Sequence, residues 1–333
     1  GQRVDLVADA LIVGVRGGGQ VNLTNNATGV LTGRTAFEAS TAGNAFTNFG
    51  TINGGVALGA GGGANSFTAV TGSSVSAAGG TGQALGGLSG VNLTFAATGQ
   101  VDGGAGGANT FSLAEDGAVG GSVSQSNNYS VFAYEESRLT VSTPTETVVT
   151  TDYAESEVAS GGNVTATVAG SIGLGLGEPL EYGDVSSTGG TNLSLSTNAG
   201  DASATLSGQV RGGISVNASG ADTTFAYQQI VTDGSTTAYA EQRTSTATGG
   251  TASLTVDADD REIPANFGNI VVAGRSGSTV TIGSDSSVLA ATNGAFMQVG
   301  ANYSDNESTR EDTYDGTVLT DQMLTSSSTV VGG

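Results

Sequence analysis

The chain has 333 residues, 56 of them glycine, a hydrophobic share of 37% and a formal net charge of −21. It contains no Cys and no His, and all nine of its cationic residues are Arg. Disulfides and thiolate metal sites are thereby excluded, the commonest general base is missing, and the field of the whole chain repels nucleic acid and anionic membrane surfaces.

In chain order, the first element is the β-prone segment Arg3–Val15, RVDLVADALIVGV, which runs to a break at Gly17-Gly18-Gly19. It reads either as the first strand or cap of the body, or as an extended arm that adds a strand to a neighbouring subunit. In the second reading Val4, Leu6, Leu11 and Val13 are the contact residues and the glycines are the hinge. No run in the chain reaches the ~18 apolar residues of a membrane-spanning helix. The start has no charged n-region followed by an apolar h-region, so a secreted protein would be represented here in mature form.

Residues 21–125 form a glycine-rich region in which short apolar runs alternate with Gly, Asn and Ser. Leu23-Thr24, Phe46-Thr47, Phe67-Thr68, Leu93-Thr94 and Phe111-Ser112 each lead to a glycine, at 29, 50, 72, 99 and 117, spaced about 22 residues apart. A period of that length with short β-prone runs predicts stacked β-coils, with apolar residues inward and Gly or Asn at the corners. Helical periodicity is hard to find anywhere, so the predicted fold class is all-β.

Near residue 125 the composition changes: all eight Tyr and most of the 30 acidic residues lie beyond it. Residues 126–333 carry a duplication. Phe132-Ala133-Tyr134-Glu135-Glu136 matches Phe225-Ala226-Tyr227-Gln228-Gln229, Tyr153-Ala154-Glu155 matches Tyr239-Ala240-Glu241, and SGGNVTATV at 160–168 matches TGGTASLTV at 248–256. A weaker third copy starts at Tyr303. Asp233-Gly234 and Ser142-Thr143-Pro144-Thr145 are hairpin signals between paired blocks. Tyr, Gln and Glu fall on both alternating faces, which predicts arms projecting from the body or surfaces closed by a neighbour. The expected organisation is therefore an N-terminal strand and hinge (1–20), a β-solenoid-like region (21–125) and a duplicated strand and hairpin region (126–333). A tandem β-sandwich filament subunit is the alternative, because the duplication is close to a sandwich domain in length.

Chemistry-bearing constellations are few. Asp257, Asp259 and Asp260 lie in the densest acidic run, which reads as a solvated turn or as oxygen ligands for Ca²⁺. Asp305, Glu307, Glu311, Asp312 and Asp315 allow the same two readings. GGGANSF (61–67) and GGAGGANTF (103–111) look like a calcium-binding nonapeptide, but Ala108 stands where that repeat needs Asp, leaving coil corners as the better reading. Gly274-Arg275-Ser276-Gly277 lacks the lysine of a phosphate loop and is flanked by strand-like runs. Paired carboxylates alone could hydrolyse a glycoside. The scarcity of cations and the absence of Trp argue against that, and no catalytic residue is assigned.

The stretches NLTNNATGVLTG (22–33), NFGTINGGVALG (48–59), NSFTAVTGSSVSA (65–77) and NLTFAATGQVDGG (92–104) resemble the passenger segments of bacterial autotransporters and filamentous-haemagglutinin-like adhesins. The resemblance covers about a third of the chain and implies a parallel β-helix on a cell surface. The combined expectation is a non-enzymatic subunit of an extracellular or cell-surface fibre or adhesin, self-associating through β-strands, without nucleic acid or membrane insertion. A glycan- or protein-binding surface module and a carbohydrate-active β-helix enzyme are the alternatives.

Overall fold

Runs of alternating apolar and Ser/Thr residues, too short for helices and rich in β-branched side chains, form strands throughout the computed structural model. The structure describes residues 11–12, 19–37, 41–76, 80–83, 92–95, 99–128, 130–143, 147–173, 191–218, 220, 222–233, 236–247, 249–257, 269–283, 297–300, 302–314 and 319–332. Among the described residues there is no helix.

Most strands belong to two parallel sheets of 8 and 13 strands, neither closed into a barrel. Three ladders account for them. The first ladder is the 8-stranded sheet, stacking Val21–Asn25, Asn44–Asn48, Ser66–Ala69, Asn109–Leu113, Val164–Val168, Ala202–Leu206, Thr251–Val256 and Gly277–Ile282 in that order. The second begins with Leu31 on Ile52 and continues through Val75, Val119, Ile172 and Val210. The third stacks Thr35, Val56, Val101, Val123, Leu193, Ile214, Ile270 and Met297. From Val21 to Ala218 the chain visits first, second and third ladder in turn, then returns to the first one rung further on.

Period-two burial sets which side chains face inward. Asn44–Asn48 and Val164–Val168 both bury alternate residues, and the buried positions stack like on like. Phe46, Phe67 and Phe111 occupy one column of the first ladder, with ring centroids 5.5 Å apart edge-on and 5.7 Å apart stacked. Phe37 caps that column 5.8 Å from Phe46. All four rings are buried, so the aromatic column is a continuous apolar spine under the early rungs.

Where the chain turns between ladders, side chains and glycines replace strand pairing. The backbone N–H of Asn44 donates to Oδ1 of Asn65, and that of Asn65 to Oδ1 of Asn109, both at 2.9 Å. Further along, Asp201 N–H donates to Asn163 Oδ1 at 2.9 Å and Thr251 N–H to Asp201 Oδ1 at 2.7 Å. These carboxamides and the carboxylate satisfy corner amides that no strand reaches. At Gly104, φ is +71° and an added Cβ would lie 1.7 Å from the carbonyl oxygen of Gly59, so only glycine fits. GGAGGANTF is thus a corner of the stack: Ala105 bridges Ala60 and Asn109 supports Asn65.

The structure corrects two details of the predicted repeat. Phe111 pairs directly with Phe67, and Leu93 is no rung. Leu93 lies in an antiparallel hairpin of Gly80–Gln83 with Asn92–Phe95, inserted between the second and third ladders. The corner column then runs Gly29, Gly50, Ser73 (not the expected Gly72) and Gly117, each carbonyl accepting from the next rung's Thr51, Ser74, Ala118 and Ser171 at 3.0 Å. Gly99 belongs to another column, donating to the Gly54 carbonyl at 2.8 Å. The compositional change near residue 125 is no break in the ladders, because Val123–Asn127 pairs with Val101–Asp102 on one side and Thr191–Thr197 on the other. The ladder strands between 164 and 282 pair parallel, unlike the antiparallel sheets of a tandem sandwich.

One interior position breaks the apolar pattern. Gln125 is 1% exposed, and neither amide atom has a hydrogen-bond partner among the described residues. Its neighbour on the next rung is the fully buried Leu195. Gln125→Leu is expected to raise the denaturation midpoint by the equivalent of ~1–3 kcal/mol, the cost of leaving a buried polar group unpaired. A lowered midpoint would show that the amide is satisfied by water. Phe67→Ala removes the middle ring of the spine and is expected to cost ~3–5 kcal/mol in the same measurement.

Candidate interaction surface

The three parallel ladders hold their apolar side chains inward, so the chemistry offered to a partner sits on the segments that leave them. Among the described residues three long hairpins do so, each following a third-ladder strand, and the first two lead on to the first ladder. Ser130–Ser142 pairs antiparallel with Thr147–Ala159, Asp222–Asp233 with Thr236–Ala247, and Asn302–Tyr314 with Leu319–Gly332. They follow the third-ladder strands Val123–Asn127, Gly213–Ala218 and Met297–Val299. On the intervening rungs, Thr191–Thr197 and Ile270–Gly274, the chain passes to the first ladder by a tight turn.

This alternation is a matter of spacing. Parallel rungs and antiparallel strands both repeat at about 4.8 Å, so a two-stranded hairpin is as wide as two rungs. A hairpin on every second rung therefore meets the next one edge to edge. The first two join: Thr147–Ala159 pairs antiparallel with Asp222–Asp233 from Val148↔Asp233 to Glu157↔Thr224, giving one four-stranded sheet. Asn302–Tyr314 lies alongside Thr236–Ala247.

At the joint between the hairpins is a polar cluster. Asp152 Oδ1 accepts from the Tyr227 hydroxyl at 2.8 Å and from Gln229 Nε2 at 2.9 Å, while Ser137 Oγ donates to Oδ2 at 3.4 Å. Gln229 Nε2 also donates to the Tyr227 oxygen at 3.1 Å. Hydrogen bonds from Gln229, then from Tyr227, hold the Asp152 carboxyl below its ordinary range. The bond to Asp152, with desolvation, pushes the Tyr227 phenol up. On the outermost strand Tyr134 packs 6.5 Å from Tyr153, and its phenol is also raised, by desolvation first and then by Glu136.

That outermost strand, Ser130–Ser142, is exposed on both faces from Phe132 to Ser142, with Phe132 60% and Leu139 63% exposed. Tyr134 and Val141 are exposed as well, and Glu135, Glu136 and Arg138 lie between them. The sheet thus exposes aromatic and aliphatic side chains set among carboxylates.

The positions singled out from sequence are distributed elsewhere. Asp257 is exposed just past Thr251–Val256, its N–H donating to the Leu206 carbonyl at 2.8 Å; Asp259 and Asp260 lie outside the described residues. Asp305, Glu307, Glu311 and Asp312 fall on the strand Asn302–Tyr314, and Asp315 lies outside the described residues. Among the described residues no group of three or more carboxylates is placed to hold a metal ion. Leu11, with Ile12, pairs parallel with Thr35 and Ala36 of the same chain; Val4, Leu6 and Val13 lie outside the described residues. The Asp152, Tyr227 and Gln229 cluster escaped sequence reading, since its members come from different copies of the duplication and only the strand register brings them together. No protein family, curated protein or solved structure matches this chain.

Asp152 gives the joint a pH dependence whose sign follows from its depressed pKa. Its contribution is present above the unfolded value, ~3.9, and is lost as pH falls through the lower folded value. Asp152→Ala is expected to speed amide exchange in 148–158 and 224–233 at pH 7. As the pH falls below the ordinary carboxylate range and through the lowered native value, so that the native carboxyl protonates too, the difference from wild type should shrink. An equal difference at neutral and acid pH would show that the carboxylate charge does not hold the joint.

Proposed function

We propose that this chain is a structural subunit of an extracellular or cell-surface fibre or adhesin, built as a β-solenoid with lateral hairpins and self-associating through β-strands. One observation carries the reading. Among the described residues the first ladder has open ends: Val21–Asn25 pairs only with Asn44–Asn48, and Gly277–Ile282 only with Thr251–Val256. A terminal rung with unpaired N–H and C=O groups is a template for a further rung, and a second copy can supply it in the same parallel geometry. The regular passage through three ladders supports the solenoid. The composition supports an exposed structural role, since an acidic, cysteine-free chain rich in Gly, Ser and Thr stays soluble without disulfides. The resemblance to autotransporter passengers and filamentous-haemagglutinin-like adhesins points the same way.

A second reading, a surface module that binds a glycan or protein, draws on the hairpin sheet, where Asp152, Tyr227 and Gln229 form a hydrogen-bonding group beside exposed aromatic rings. Electron microscopy of the purified protein separates the two. Regular rods or filaments longer than one chain are expected for the fibre subunit, with or without calcium. Discrete particles at every concentration would overturn it and favour the binding module. Assembly only in calcium would move the acidic runs at 257–260 and 305–315 into the contact.

A further inference from the structure

The first hairpin's outer edge has no strand partner among the described residues. Ser130–Ser142 is the end strand of the four-stranded sheet, and its other edge is fully paired with Thr147–Ala159 over 13 residue pairs without a register shift. Soluble proteins protect such edges with proline, bulges or lysine. This strand has no proline, bulge or lysine; the charges it carries are Glu135, Glu136 and Arg138, of both signs. The third hairpin, by contrast, carries a register irregularity between Thr313 and Tyr314.

The chain also shows how such an edge is covered. The duplicate of this strand, Asp222–Asp233 with its Phe225-Ala226-Tyr227 block, has the corresponding edge occupied by Thr147–Ala159 of the preceding hairpin. Hairpin-to-hairpin antiparallel pairing is therefore the contact this sequence block makes when a strand is within reach. For Phe132-Ala133-Tyr134 no preceding long hairpin exists, because the rungs before Val123–Asn127 carry none among the described residues.

The geometry points to an isologous dimer in which Ser130–Ser142 pairs antiparallel with the same strand of a second copy, across a two-fold axis at Ser137. This rests on the self-associating reading above and names one of its contacts. Residues directly opposite across such an axis share a face, so paired residue numbers must sum to an even value. Centring on Glu135, Glu136 or Arg138 would set that residue against its own copy, placing like charges opposite. Centring on Ser137 sets Glu136 opposite Arg138 twice, with Tyr134 opposite Thr140 and Phe132 opposite Ser142. This central register pairs Glu136 with Arg138 twice and leaves Glu135 opposite Leu139. The two strands run in opposite directions, so the two bodies lie at opposite ends of the joined sheet and do not collide.

The absence of cysteine makes the register directly testable. In Ser137→Cys the two thiols face each other with Cα atoms ~4.5–5.5 Å apart, within disulfide range, so mild oxidation should yield a covalent dimer. Leu139→Cys, whose copies are displaced by four residues, should stay monomeric on a non-reducing gel. By sedimentation, at concentrations below those at which filaments form, the wild type should be a reversible dimer. Glu136→Arg should weaken it about tenfold or more, and Glu136→Arg with Arg138→Glu should restore it. These exposed positions are expected to leave the fold unchanged, as circular dichroism would check. Four results would each overturn the proposal: a monomeric wild type at its highest soluble concentration, an unaffected Glu136→Arg dimer, a swap that fails to restore, or Leu139→Cys cross-linking as readily as Ser137→Cys. Micrographs of the same samples keep the two readings apart. Single rods without pairing sink this dimer and leave the fibre subunit, whereas paired particles that never elongate do the reverse.

Discussion

Rung-to-rung backbone hydrogen bonding is the constraint from which the rest of this molecule follows. Each strand of a parallel ladder offers N–H and C=O groups to both sides, and burial makes an unpaired group costly. Once strands stack in register at a fixed spacing, homologous positions lie directly above one another and must agree. The interior obeys: Leu31, Ile52, Val75, Val119, Ile172 and Val210 form one column, and three phenylalanines form another. The corners obey by different means, with Asn65 and Asn109 side chains carrying hydrogen bonds that strand pairing cannot reach there. Gln125 stands out because it is the interior member of a column whose later members are Leu195, Val216 and Val272.

The same spacing governs what the body carries. A hairpin inserted on each consecutive rung would need twice the width available to it, and hairpins three rungs apart would leave a strand-wide gap. At every second rung they fit edge to edge, and the joint between Thr147–Ala159 and Asp222–Asp233 shows the fit. The duplication visible in sequence is thus tied to the ladder: Val164 and Ala252, equivalent in the repeated blocks, stand two rungs apart with Ala202 between them. What repeats is a pair of rungs, one bearing a hairpin and one a tight turn.

Much of this was legible because stacking imposes like on like. The buried Phe46, Phe67 and Phe111, the inward Ile52 and the Gly29, Gly50 and Gly117 column follow from the period alone. The all-β class was equally plain. Leu93-Thr94 misled because a strand in an excursion obeys the same local propensities as a strand in a rung. Only pairing distinguishes them, and the rung after Asn65-Ser66-Phe67 was supplied by Asn109-Thr110-Phe111. The polar cluster at the hairpin joint was illegible for a related reason. Antiparallel register between separate hairpins sets Asp152 against Gln229, and nothing local to either residue encodes that meeting.

In-register stacking also explains where the charge went. A carboxylate repeated on successive rungs would sit about 4.8 Å from its copies and repel them. The outward column of the first ladder is accordingly neutral: Thr24, Thr47, Thr68, Ser112, Thr167, Thr205, Thr255 and Thr281 stack in order. Antiparallel hairpins carry no such penalty, because identical positions are not brought opposite one another. There Glu135, Glu136, Asp152, Glu155 and Glu157 are tolerated, facing Ala154, Tyr153, Ser137, Tyr134 and Phe132 rather than each other. The division of labour follows directly. Parallel rungs, which must agree, stack largely uncharged side chains, and antiparallel hairpins, which need not, hold acidic and aromatic side chains.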